Sequence, residues 1–236
     1  MRKVGYRWAD VDGVQVFYRE AGPPAAPALL LLHGFPSSSR MYEPLLTRLG
    51  DSVRLVAPDY PGFGHSAWPD PAQFAYTFDH LAAVTGRLTE VLGLRQYSLY
   101  LQDYGGPVGM RLAVAHPDRL QALWTDELAF LGQPGQEQIQ LDLMYDYRTN
   151  VASYPAWQAW LREHRPPLLV LWGRYDTSFE AAEVQAYRRD VPDAETHLLD
   201  AGHFALNEEP DVMADLVRAF LARRVSLPPE PPRGGG

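Results

Sequence analysis

Four short apolar runs, each halted by a polar or glycine-bearing step, constrain this chain more than any other feature. They are Ala28-Leu29-Leu30-Leu31-Leu32 before His33-Gly34, Val53-Arg54-Leu55-Val56-Ala57 before Pro58-Asp59, Tyr97-Ser98-Leu99-Tyr100-Leu101 before Gln102-Asp103, and Leu168-Leu169-Val170-Leu171-Trp172 before Gly173. Runs of this length that are apolar on both faces suit strands buried inside a parallel sheet. Helix-period stretches alternate with them at residues 42–49, 78–92, 108–116 and 179–189. That alternation predicts an α/β fold, a mostly parallel twisted sheet with helices on both faces. Ligand sites in such sheets form at the carboxyl ends of the strands, so the residues that stop the runs are the first candidates. An Asp12-Gly13 turn before alternating Val14 to Tyr18 predicts a hairpin at the start of the fold. A helix at 211–224, apolar at Val212, Leu216, Ala219 and Phe220, closes it, and the Pro/Gly-rich tail 228–236 reads as disordered.

Composition removes several function classes. The 236 residues carry a net charge of −8 with no basic block, which argues against nucleic acid or an anionic membrane as partner. Cysteine is absent, so disulfides, a cysteine nucleophile, iron–sulfur clusters and zinc–thiolate sites are excluded. No apolar run reaches the length of a membrane span and no signal-peptide core opens the chain, so a cytoplasmic location is expected.

Four strand ends carry the chemistry. At His33-Gly34-Phe35-Pro36, glycine permits a sharp turn after which the Phe35 amide can serve as an anion donor; a plain strand-to-helix turn with a satisfied histidine uses the same residues. In Gln102-Asp103-Tyr104-Gly105-Gly106-Pro107 a buried strand delivers Asp103 onto a tight turn at a helix start, the nucleophile-elbow layout with Asp where serine commonly sits. A carboxylate there attacks carbon and leaves a covalent ester that water must cleave, although Asp is also a preferred helix N-cap. Asp176 in Gly173-Arg174-Tyr175-Asp176 and His203 in Gly202-His203-Phe204 follow later strands. Either is ordinary alone; the chain order nucleophile, acid, histidine is that of the α/β-hydrolase triad.

On these motifs, together with Asp59-Tyr60-Pro61-Gly62-Phe63-Gly64-His65-Ser66, the chain resembles the α/β-hydrolase superfamily, specifically its aspartate-nucleophile branch of epoxide hydrolases and haloalkane dehalogenases. The similarity runs from about residue 10 to about residue 223. The resemblance implies Asp103 as nucleophile, His203 as the base that activates water, Asp176 as its orienting acid, and the Phe35 and Tyr104 amides as oxyanion hole. Some relatives place the acid after the sixth strand, where Asp126 and Glu127 lie. It also implies a small apolar electrophile as partner, with no metal or organic cofactor. Dehalogenases hold the halide with side-chain N–H donors, which Tyr104 and Phe35 do not supply; epoxide hydrolases use cap tyrosines, and residues 144–151 offer some. The resemblance implies that His33 supports its loop rather than reacting; His33, Tyr145 and Trp157 are the candidate substrate contacts.

Relatives insert a helical cap after the sixth strand. Here Leu120-Gln121-Ala122-Leu123 begins that strand, and Trp124 onward reads as late cap sequence. The expected organisation is therefore a hydrolase core at 1–123 and 165–227 around a truncated cap at 124–164, which includes separate stretches from Ile139 to Arg148 and from Tyr154 to Leu161, with a normal strand end and the first cap helices missing. Such a lid leaves the pocket open or invites a second chain, and exposed Trp157 and Trp160 would form a homo-oligomer patch. An esterase-like hydrolase on the same scaffold, or a catalytically silent binding protein, are the alternatives.

Overall fold

The computed structural model describes residues 4–35, 37–126, 137–176 and 183–225. Strands β1 (Gly5–Val11) and β2 (Val14–Ala21) form the hairpin, with Asp12 and Gly13 both at positive φ as a two-residue turn requires. Then follow β3 (Ala28–Leu32), α1 (Glu43–Leu49), β4 (Arg54–Pro58), α2 (Phe78–Val91), β5 (Tyr97–Gln102) and α3 (Gly105–Ala115). The second half comprises β6 (Leu120–Asp126), α4 (Glu137–His164), β7 (Leu168–Gly173), α5 (Glu183–Asp190), β8 (Glu195–Leu199), α6 (Ala205–Glu208) and α7 (Pro210–Arg224). The eight strands pair in the order β1-β2-β4-β3-β5-β6-β7-β8, antiparallel at the hairpin and parallel from β4 to β8.

The apolar runs form the strands they predict. Every residue of β3, β5 and β7 is buried. Their side chains alternate between two cores. Leu30, Leu32, Leu99, Leu101 and Val170 face α2, α3, α4 and α5, while Leu29, Leu31, Tyr100, Leu169 and Leu171 face α1, α6 and α7. Helices on both faces make every strand end a rim above a filled interior, which is why the polar residues that stop the runs gather at one edge.

Three expectations change. First, β6 runs through Asp126, with Trp124, Thr125 and Asp126 paired to Tyr100, Leu101 and Gln102, so the strand end is present and these residues are sheet, not cap. Second, residues 137–164 form one helix of 28 residues that passes through Pro155. Third, α7 buries Met213, Ala214, Val217, Phe220 and Leu221, while Val212 is exposed; the stripe read from the sequence was out of phase. Residues 127–136, including the alternative acid Glu127, and the tail 228–236 lie outside the described residues, as does the side chain of Asp126.

Candidate active site

Asp103 ends β5 one residue beyond the strand, at φ 48°, a left-handed conformation that Asp tolerates better than most residues. Gly34, after β3, lies directly against it: a Cβ on Gly34 would sit 2.4 Å from Asp103 Cβ and 2.9 Å from its Oδ1. This contact is why glycine follows His33. It brings the next amide onto the carboxylate, where Phe35 N–H donates to Asp103 Oδ1 at 2.6 Å, and the Tyr104 amide donates to the same side chain. Burial raises the Asp103 pKa to about 6; the two amides and the nearby charge of His203 pull in the opposite direction.

The loop that carries Phe35 is itself braced. Asp59, fully buried after β4, accepts from Ser39 N–H at 2.7 Å and from His65 N–H at 2.8 Å. Its carbonyl accepts from Ser66 Oγ at 2.6 Å, and Ser66 Oγ in turn accepts from Phe17 N–H at 2.8 Å. The whole motif from Asp59 to Ser66 therefore fastens the end of β4 to the end of β3. His33 belongs to this brace. It is fully buried, accepts from Tyr60 N–H at Nε2 (3.2 Å), and so presents Nδ1–H to the Gly34 carbonyl at 2.9 Å. Burial lowers its pKa and keeps that neutral tautomer. His33 thus supports the loop and does not line the cavity beside Asp103, which removes it from the candidate substrate contacts.

A second pair of loops, after β7 and β8, carries Asp176 and His203. A Cβ on Gly173 would sit 2.0 Å from the Gly202 carbonyl oxygen, so only glycine lets the β7 and β8 loops approach this closely. The approach is held by Arg174 N–H to Leu199 O and Tyr175 N–H to Ala201 O, both 3.0 Å. It places Asp176 Oδ2 2.8 Å from His203 Nδ1, with both side chains nearly buried. A carboxylate on Nδ1 fixes the tautomer that leaves Nε2 without a proton, the form a base requires.

Asp103 opens onto a cavity of about 290 Å³ between α3, α4 and α5. Leu101, Met110, Leu123 and Leu161 give it apolar walls; Tyr147, Tyr154, Trp157, Trp172 and Tyr187 supply aromatic ones. The hydroxyls of Tyr147 and Tyr154 lie 3.3 Å apart. Trp157, a candidate substrate contact, lines this cavity. Tyr145 does not: it is 72% exposed with the Arg148 guanidinium 3.7 Å over its ring. Trp157 and Trp160 are buried, at 8% and 7% exposure, so they form no association patch. Sequence reasoning missed Tyr154, Gln158 and Trp172 as cavity residues. The signal was available in part, since Tyr147, Tyr154, Gln158 and Leu161 recur at helical spacing on one face of α4.

A sheet of this topology with an elbow, two amide donors and a carboxylate-bound histidine at its rim defines a hydrolase of the α/β class. The alpha/beta hydrolase fold family model matches residues 27–153, and the chain belongs to that family. An uncharacterized hydrolase of Saccharomyces cerevisiae is 32% identical over 276 residues, covering 89% of this chain and 94% of that protein. Because 89% of 236 residues is about 210, roughly 66 aligned positions of the yeast protein face no residue here. Haloalkane dehalogenase 2 of Mycobacterium tuberculosis is 39% identical over 117 residues, half of this chain and 40% of that protein. The crystal structure of haloalkane dehalogenase DbeA from Bradyrhizobium elkani shares the fold at TM-score 0.81 and 18% identity, covering 95% of this chain and 99% of that one. No helix among the described residues is long and apolar enough to cross a membrane.

Proposed function

We propose that the protein hydrolyses small apolar electrophiles through an ester on Asp103, and that a strained cyclic ether such as an epoxide is the preferred class. The observation that carries this reading is the Phe35 amide on Asp103 Oδ1 beside an apolar cavity. With Oδ1 held, Oδ2 attacks an sp³ carbon of the epoxide; the C–O bond opens, and the departing oxygen takes a proton from the Tyr147–Tyr154 hydroxyl pair. His203 then removes a proton from water, whose oxygen attacks the ester carbonyl carbon. The oxyanion that forms on Oδ1 is stabilised by the Phe35 and Tyr104 amides, as in acyl transfer. The tetrahedral centre collapses, the alkoxide leaves as the diol with the proton held by His203, and the remaining proton of that water passes from the Asp103 carboxyl to the phenolate left in the first step, restoring both the carboxylate and the Tyr147–Tyr154 hydroxyl pair.

The paired phenols favour epoxide over halide. A departing halide needs N–H donors, whereas a departing alkoxide needs an acidic O–H, and the residue after Asp103 is Tyr104. A dehalogenase activity, supported by the similarity to haloalkane dehalogenase 2 over half of the chain, is the second reading. The test is intact-mass analysis of His203→Gln after exposure to styrene oxide, bromobutane or nitrophenyl acetate. The added mass distinguishes a whole epoxide, an alkyl group without its halogen, and an acetyl group. The reading expects a styrene oxide adduct that disappears when Asp103→Asn is added; a folded His203→Gln that acquires no mass from any of the three contradicts it.

A further inference from the structure

Arg111 lies in the second turn of α3, the helix that starts at the elbow, and its guanidinium joins three helices. Nε donates to Asp79 Oδ1 of α2 at 2.5 Å. Nη1 donates to Asn150 Oδ1 of α4 at 2.8 Å and to the Pro107 carbonyl at 3.2 Å, and Nη2 donates to Thr149 Oγ1 at 3.1 Å. Its Cζ also lies 5.3 Å from the ring centre of Trp157 and 5.7 Å from that of Phe78. The side chain is only 12% exposed. One turn before Asn150, Asp146 Oδ2 accepts the Phe78 N–H at 2.9 Å, at the positive end of α2. Asp146, Thr149 and Asn150 thus form one polar face of α4, at i, i+3 and i+4, directed at α2 and α3.

The same helix turns Tyr147, Tyr154 and Trp157 toward the cavity. Apolar side chains such as Ile139, Leu143 and Leu161 anchor α4 on the core, but apolar contact is non-directional and leaves rotation about the helix axis weakly specified. A planar cation with fixed donors specifies it, and a lysine ammonium cannot span the same partners.

We propose that Arg111 is a positioning residue that sets the rotation of α4, and with it the aromatic wall facing Asp103, so that it governs substrate affinity and the placing of the Tyr147–Tyr154 hydroxyls more than attack by Asp103. The activity arm of the test rests on the Asp103 reading; a spectroscopic arm does not. Arg111→Gln and Arg111→Lys are compared with wild type for KM and kcat on styrene oxide. Trp157 is read separately as the emission difference between each background and its Trp157→Phe partner. The expected result for Arg111→Gln is a KM raised about tenfold with kcat lowered by no more than the roughly fivefold that loss of one phenol costs, and a partial return toward wild type for Arg111→Lys. The Trp157 difference spectrum shifts to longer wavelength in Arg111→Gln as the cation leaves the indole face and water reaches it. An unchanged Trp157 spectrum overturns the proposal, as does a fall in kcat that merely tracks lost folded protein by circular dichroism. If wild type turns over none of the test electrophiles, the Asp103 reading fails, and the Trp157 spectrum alone decides the role of Arg111.

Discussion

The two sides of Asp103 are built by different physics. On the strand side, the ends of β3, β4 and β5 are locked by atoms that have no room to move: Gly34 against Asp103, and Asp59 bonded to the Ser39 and His65 amides. On the α4 side, the cavity wall is a single long helix held by apolar packing and by the polar contacts of Asp146, Thr149 and Asn150. The first arrangement leaves one geometry for the reacting carboxylate. The second can be re-aimed by a single side chain, so changes there should alter which substrate is accepted and how well its departing oxygen is protonated, while attack by Asp103 survives.

The largest contrast is expected for Asp103→Asn. Loss of the nucleophile should lower turnover by about 10⁴-fold or more, measured as kcat/KM. The same substitution should stabilise the fold at neutral pH. Burial raises the native pKa of this carboxyl from 3.8 to about 6, so the native state holds the proton more tightly than the unfolded one. Its favourable contribution is therefore complete below the unfolded value and is lost as pH rises through about 6. Asp103→Asn should accordingly gain in Tm over wild type at pH 7.5 relative to pH 4. A wild type that is more stable than Asp103→Asn at pH 7.5 would contradict the buried-charge account.

Gly34→Ala sharpens the comparison on the strand side. The added Cβ must push either the Phe35 loop or Asp103 away, and about a hundredfold loss of kcat is expected with about 1–3 kcal/mol of destabilisation by urea titration. Activity at the wild-type level in a folded Gly34→Ala would mean that the contact does not set the geometry. A third effect is smaller. Since Asp103 must be ionised to attack, log kcat/KM should rise with unit slope up to about pH 6 and flatten above, leaving activity about tenfold below the plateau one unit under that pKa. A profile flat from pH 4.5 to 7 would exclude a carboxylate of that pKa as the reacting group.

The smallest change is expected on the α4 side. Tyr147→Phe removes one of two hydroxyls that lie 3.3 Å apart, and the Tyr154 hydroxyl remains, so about a fivefold fall in kcat on styrene oxide is expected with hydrolysis of bromobutane adducts unchanged. An equal loss on both substrates would assign Tyr147 to packing alone.

How much of this was legible follows the same division. The runs at 28–32, 97–101 and 168–172 became strands because burial on both faces demands continuous apolar sequence, and their polar stops carried Asp103, Phe35 and Asp176 to one rim. His203 was legible only through the chain order nucleophile, acid, histidine, since its own segment Gly202-His203-Phe204 is ordinary alone. For His33 the residues alone left two roles open, because a histidine in a strand-end turn reads the same whether its ring meets substrate or, as here, the Tyr60 amide and the Gly34 carbonyl; only the resemblance pointed to loop support. The 137–164 region was the least legible. Its aromatic residues recur on more than one face, so sequence alone could not tell that Trp157 turns inward and Tyr145 outward; that choice depends on Arg111 and Asp146, whose partners lie far away in sequence. Tertiary contacts of long sequence separation, not local propensity, decide the wall of the cavity.

The most direct test of the central claim is a single turnover of wild-type protein, in excess over styrene oxide, in water enriched in ¹⁸O. If the reaction passes through an ester on Asp103 that water cleaves at the carboxyl carbon, the heavy oxygen enters the peptide containing Asp103 and the first diol released carries oxygen from the enzyme. If that peptide stays unlabelled while the first diol carries the solvent oxygen, water attacks the substrate directly and the covalent mechanism is wrong.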